Sequence, residues 1–234
     1  MGERAVNVKV NAEALQKLLP ASARSMPAGS VASQDLSILT EIYDPTVNLA
    51  VWRREPDPAC RAESVSLLET DPGLQLSLMT SPETVEESLR SALRINSYSP
   101  LVDDMKRLVE MFCVLFDLSR VGFRLTALDG QMCPKFHVDR VPCRLITTYD
   151  GIATQWLPND RVDRSKLGTA MPGTANKQGG LYESELDIAE LAAGDVALFK
   201  GEAWEGNEGF GVVHRSPEVP ENTQRLLLTI DFGR

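Results

Sequence analysis

The sequence predicts an α+β fold, with helices in the first half and a jelly-roll-like β core in the second. Two observations carry that prediction. Leu101, Met105, Leu108, Val109, Phe112, Leu115 and Phe116 recur at helical spacing on one face. From Val121 the period changes to short runs rich in β-branched, aromatic or Leu residues, separated by turn signals such as Asp129-Gly130 and Asp150-Gly151. Short strands with no helical pattern between them argue for an antiparallel sandwich or barrel.

Taken in order, Ala12–Leu19 reads as a short amphipathic start. Residues 21–35 are small, polar and Gly/Pro-containing, which marks a linker. The expected organisation is therefore an N-terminal segment and linker over 1–36 and a single domain over 37–234. Val47–Trp52 is an apolar, partly β-branched run that predicts a buried strand. Helices are expected over about 81–118, announced by Ser81-Pro82 and Ser99-Pro100, each offering a capping hydroxyl before a proline at the first helical position. The β core is expected over about 121–232, with strands at Val121–Leu128, Cys143–Tyr149, Asp195–Phe199 and Arg225–Phe232. No internal repeat is visible.

Composition bounds the function. The 234 residues carry 24 Lys+Arg against 33 Asp+Glu, a net charge of −9, and 43% are hydrophobic, enough for a real core. An acidic chain is a poor generic binder of nucleic acid or anionic membranes, because phosphate-rich partners need a basic surface. The N-terminus shows no secretory signal and no stretch has the length of a membrane span, so a cytoplasmic protein is expected. Four cysteines, at 60, 113, 133 and 143, form no CxxC pair and are expected as free thiols.

Only two histidines are present, and both lie in the β-rich half. His137 opens the triplet His137-Val138-Asp139. On a strand, residues i and i+2 point to one side, so His137 and Asp139 can grip one metal ion. His214, 77 residues further on, would complete a set of two imidazoles and one carboxylate. Such a set leaves positions open on an octahedral metal, the signature of non-haem Fe(II) oxygenases. Arg225 follows His214 by 11 residues and starts an otherwise apolar strand. A guanidinium there is costly to bury unless it meets an anion, and its planar fork suits a carboxylate such as that of 2-oxoglutarate. Thr229 shares the parity of Arg225 and is expected to face the same cavity.

The pattern of HxD, a distal His and a following Arg resembles the double-stranded β-helix Fe(II)/2-oxoglutarate dioxygenase superfamily. The text FHVDRVPCRLITTYDGIATQWLP, then GDVALFKGE, then VVHRSPEVPENTQRLLLTIDF, is similar to the domain-of-unknown-function family 1826, over roughly residues 37–232. The resemblance implies a cupin-like fold and an oxygenase that takes Fe(II) and 2-oxoglutarate, with a small-molecule or side-chain substrate left unspecified.

Neighbouring residues have competing readings. Cys133 and Cys143 bracket the triplet and invite a second hypothesis, a non-catalytic Zn(II)-binding protein on the same fold, in which a thiolate would close the open position. Packing is the blander account of both. Arg144 either recognises an anionic substrate or faces solvent, and solvent is the safer expectation. Tyr149 and Trp156 either line the pocket or pack in the core. Residues 159–180 are poor in large apolar residues and carry a local basic excess, which reads as a mobile flap or a solvated loop.

Overall fold

The apolar stripe and the alternating runs become two sides of one sheet in the computed structural model, which describes residues 29–168 and 180–233. The strands are β1 (Gly29–Ser33), β2 (Val47–Trp52), β3 (Gln75–Thr80), β4 (Val121–Leu128), β5 (Cys143–Asp150), β6 (Gln155–Leu157), β7 (Ala189–Glu190), β8 (Val196–Lys200), β9 (Val213–Arg215) and β10 (Arg225–Phe232). The helices are α1 (Pro58–Thr70), α2 (Val85–Leu93) and α3 (Pro100–Phe116). Seven strands form a large sheet in the order β1-β2-β8-β5-β10-β4-β3, antiparallel except for the β1–β2 pair. A small sheet, β7-β6-β9, covers part of its other face and is extended by a single bridge between His214 and His137.

Alternation along each strand sends one set of side chains to the helices and the other toward the small sheet. Phe123, Leu145, Leu198 and Leu228 pack with Met105, Leu108 and Phe112 of α3. Leu49, Val51, Ile146, Ala197, Phe199 and Leu227 form a second cluster on the opposite, inner face. The fold is a double-stranded β-helix with helices on one flank, as the sequence predicts.

Local differences have local causes. At α3 the expected cap is present: Val102 N donates to Ser99 Oγ at 3.2 Å and Pro100 opens the helix. At the preceding helix it is not. Ser81-Pro82 forms a turn whose Ser81 carbonyl accepts from Thr84 and Val85, and α2 begins only at Val85. Helix α1 lacks an apolar stripe, burying Cys60, Ser64 and Leu68 alone, so periodicity misses it; Asp57 caps it through Ala59 N at 2.7 Å. The expected linker over 21–35 contains β1, whose small residues pair in parallel with β2. Ala12–Leu19 lies outside the described residues, as do residues 169–179 of the 159–180 loop. The portion of that loop that is described contains two short 3-10 turns, and Arg164 ties it to the carbonyl of Gly211 at 2.9 Å. No helix among the described residues is long and apolar enough to cross a membrane.

Lys200 ends β8 on the helix side and is buried. Its ammonium donates to the carbonyls of Asp44 at 2.9 Å and Val47 at 2.7 Å and sits 4.9 Å from the Trp204 ring centroid. Burial lowers its pKa from 10.5 to about 8. Between those values the unfolded chain binds more protons than the folded one, so this residue makes stability rise with pH across that window. Urea melts of wild type and Lys200→Met at pH 8 and pH 10 should show wild type gaining on the variant, on the order of 1 kcal/mol per pH unit.

Candidate metal centre

His137 and His214 are joined by two reciprocal backbone hydrogen bonds, each 3.0 Å. That pairing places the two rings with centroids 4.5 Å apart. In each ring Nδ1 lies 2.9 Å from a carbonyl two residues back, Lys135 for His137 and Val212 for His214. A carbonyl only accepts, so Nδ1 carries the hydrogen and Nε2 presents its lone pair, the arrangement a metal-ligating imidazole needs. Nε2 of His137 lies 3.9 Å from Asp139 Oδ1, and Nε2 of His214 lies 3.4 Å from Asp139 Oδ2. The three ligand atoms all fall within 4.8 Å of one another.

His214 is buried, with Phe199 packed edge-on against its ring at 5.0 Å. Burial lowers its pKa to about 4, against the opposing pull of the Asp139 carboxylate. The ring is therefore neutral near pH 7, as a ligand must be. The expected strand for the HxD triplet is reduced to the one bridge at His137, and Asp139 stands in the loop behind it. That loop is anchored by Glu202 N, which donates to the Asp139 carbonyl at 2.9 Å. Gly201 makes the approach feasible, since a Cβ there would stand 2.8 Å from the Asp139 carbonyl oxygen and 2.1 Å from that of Val141.

Arg144, expected to face solvent, is instead largely buried and locked between two carboxylates. Its Nη1 donates to Asp139 Oδ2 at 2.8 Å, while Nε and Nη2 form a fork onto Asp231 at 2.7 and 2.8 Å. Asp231 went unrecognised in the sequence. The signal was available: Arg225, Thr229 and Asp231 share one parity in a strand whose other face is Leu226, Leu228 and Ile230.

Arg225 is only 1% exposed. Its Nη2 lies 3.2 Å from Thr154 Oγ1 and 3.3 Å from Thr148 Oγ1, while Nε and Nη1 find no hydrogen-bond acceptor among the described residues. Burial lowers its pKa to about 10, a shift that nearby Glu190 opposes. Gly151, at φ +87°, lets the turn after β5 pass against it; a Cβ there would lie 2.7 Å from Arg225 Cβ. Thr229 shares the inner face with Arg225 and pairs in register with Ile146.

The remaining candidates separate. Tyr149 points to the helix side, where its hydroxyl donates to Asp104 Oδ2 at 2.8 Å, and it lines no inner-face pocket. Cys143 is buried in the same helix-side core and Cys133 is exposed; neither belongs to the ligand cluster. Trp156 pairs in register with His214, packs against the inner cluster and borders a groove of about 1000 Å³ with Val51, Trp52, Glu190 and Leu191.

Residues 33–231 match the family described as protein of unknown function (DUF1826). The chain belongs to this DUF1826 family. The matched span contains His137, Asp139, His214, Arg144, Arg225 and Asp231. No curated protein sequence matches the chain. Among solved structures it is similar to dioxygenase for auxin oxidation 1 from Arabidopsis thaliana in complex with 2-oxoglutarate, with TM-score 0.52 and 11% identity over 90% of this chain and 93% of that one. It is also similar to the rice dioxygenase for auxin oxidation, with TM-score 0.47 and 10% identity over 89% of this chain and 83% of that one. A prolyl-4-hydroxylase from Pseudomonas putida matches with TM-score 0.43 and 14% identity over 85% and 97%. The first likeness shows that this DUF1826 chain has the fold of a 2-oxoglutarate dioxygenase, the double-stranded β-helix.

A buried guanidinium with two unmet donor groups destabilises the ligand-free fold. Arg225→Met, apolar and of similar length, should therefore raise the ligand-free stability by about 1–4 kcal/mol in chemical denaturation. Thr154→Val, which removes an acceptor from a cation that stays, should lower it by about 1–3 kcal/mol.

Proposed function

We propose that the protein is an Fe(II)- and 2-oxoglutarate-dependent oxygenase that hydroxylates an organic substrate. The observation that carries this reading is the pairing of two features on the inner face of one sheet. One is a cluster of two imidazoles and a carboxylate; the other is a buried arginine with donors left open for an anion. Arg144, by contrast, has Nε, Nη1 and Nη2 all engaged by carboxylates. The donor set fits a divalent metal: His137 and His214 present Nε2 and Asp139 presents a carboxylate oxygen, with no fourth ligand-type side chain in the cluster among the described residues.

Within this reading, His137, Asp139 and His214 hold the metal. Arg225 takes the distal carboxylate of 2-oxoglutarate, its fork steadied by Thr148 and Thr154. When bound, Fe(II) with 2-oxoglutarate supplies the activation of O2 that oxidises a C–H bond as the co-substrate is decarboxylated. Phe199, Leu227, Ile146 and Ala197 wall the inner face with apolar surface, which excludes water and strengthens the Arg225–carboxylate attraction. A thiolate ligand would favour the competing Zn(II) reading, and neither Cys133 nor Cys143 stands in the ligand cluster, although two imidazoles and a carboxylate also suit Zn(II) with a water. What the solved relatives do supports the oxygenase class and leaves the substrate open.

Addition of Fe(II) and 2-oxoglutarate under anaerobic conditions should produce a metal-to-ligand charge-transfer band in wild type. Arg225→Met should keep its iron and lose most of the band at matched 2-oxoglutarate, through an affinity loss of about tenfold or more. Iron-loaded wild type with no band at saturating 2-oxoglutarate would defeat the proposal.

A further inference from the structure

Arg144 and Asp231 stand opposite each other in the β5–β10 register, on the sheet face that carries Leu227 and Arg225. Asp231 grips the Nε–Nη2 edge of the guanidinium with both its oxygens, so the direction of Nη1 is fixed. Nη1 meets only one oxygen of Asp139, Oδ2, which also lies 3.4 Å from His214 Nε2, while Oδ1 is free of Arg144 and lies 3.9 Å from His137 Nε2. Both carboxylates and the guanidinium are less than one-fifth exposed, so water screens the trio weakly. One further cation, Arg124, approaches Asp231 at 3.8 Å.

We propose that Arg144 is a positioning residue for the metal centre: by holding Asp139 Oδ2 it leaves Oδ1 as the single carboxylate donor and restrains the site's affinity for divalent ions. The inference rests on the metal-centre reading above and deepens it. A free carboxylate can bind a metal through one oxygen or two. Two would consume one of the positions a two-His, one-carboxylate site keeps open for a chelating co-substrate and O2. An oxygen already engaged at 2.8 Å by a cation is a poor second donor. Asp231 then has a defined role: it shares the positive charge of Arg144, so that the guanidinium steers Asp139 without withdrawing it from the metal.

The two residues consequently act on metal affinity in opposite directions, whereas a purely structural brace would weaken the site whichever partner is removed. The test is Co(II) titration of the full chain, followed by the visible absorption of the metal, with circular dichroism melts alongside and His214→Ala as the non-binding control. Arg144→Met should bind Co(II) about tenfold more tightly and with an altered visible spectrum, because Oδ2 is released. Asp231→Asn should bind it about tenfold more weakly with the wild-type band shape, because Arg144 then neutralises Asp139 alone. Arg144→Lys, which keeps the charge, should retain the wild-type band shape. If Arg144→Met and Asp231→Asn both lose affinity in step with thermal stability, or Arg144→Met leaves affinity and spectrum unchanged, the proposal is overturned and Arg144 is a brace. Wild type without His214-dependent Co(II) binding would overturn both this inference and the metal-centre reading. Wild type that binds Co(II) yet gives no charge-transfer band with Fe(II) and 2-oxoglutarate would defeat the oxygenase reading alone.

Discussion

Two backbone hydrogen bonds between His137 and His214 hold the inner half of the molecule in register. They add the loop segment around His137 to the edge of β9 and so extend the small sheet by one residue pair. Because the pair is hydrogen-bonded in both directions, the two imidazoles are fixed side by side although 77 residues separate them in the chain. The same geometry turns each Nδ1 onto a nearby carbonyl and each Nε2 toward Asp139. One element of sheet pairing thus sets the position, orientation and tautomer of both imidazoles together, and a one-residue slip would send one ring to the other face.

The large sheet distributes chemistry by parity. Its helix-side face is largely apolar, with Lys200 matched on two carbonyls and Tyr149 and Arg54 on Asp104. Its inner face reads Arg144, Ile146, Thr148 along β5 and Arg225, Leu227, Thr229, Asp231 along β10. The proposed metal ligands lie near the Arg144–Asp231 end, through the Arg144–Asp139 bond, and the Arg225 guanidinium lies with Thr148 at the other. Between them the strands place apolar and small polar side chains. The two arginines of the inner face differ: Arg144 uses three donor groups on two carboxylates, whereas Arg225 is left with Nε and Nη1 unmet among the described residues. Fold stability alone favours saturating or deleting such a group.

Strands were legible where an apolar run buries at least one face. Val47–Trp52, Val121–Leu128 and Arg225–Phe232 coincide with β2, β4 and β10 because continuous or alternating apolar runs leave little register freedom. Elements held by few apolar contacts were not: β1 consists of Gly, Ser, Val and Ala, and α1 buries a serine and a cysteine where a stripe would place leucines. At the site, the candidate cluster followed from scarcity, since a chain with two histidines offers one way to build a two-imidazole centre, and the structure brings His137, Asp139 and His214 together. The surroundings were less accessible. Arg144 looked like an ordinary strand arginine because its partners, Asp139 and Asp231, come from a loop and from a strand 87 residues away. Tyr149, open between pocket and core in the sequence, alternates with Arg144, Ile146 and Thr148 and so falls with Cys143 and Leu145 on the helix side.

The central claim is that one cavity holds a metal at His137, Asp139 and His214 and a dicarboxylate that reaches Arg225. The most direct measurement is a crystal structure grown without oxygen in Mn(II) and 2-oxoglutarate, with diffraction data collected on both sides of the manganese absorption edge. The account predicts one anomalous peak within bonding distance of the two Nε2 atoms and Asp139 Oδ1, and carboxylate density on the Nε and Nη1 atoms of Arg225. A peak at any other set of residues, or an Arg225 that stays without an anion at saturating 2-oxoglutarate, would contradict it.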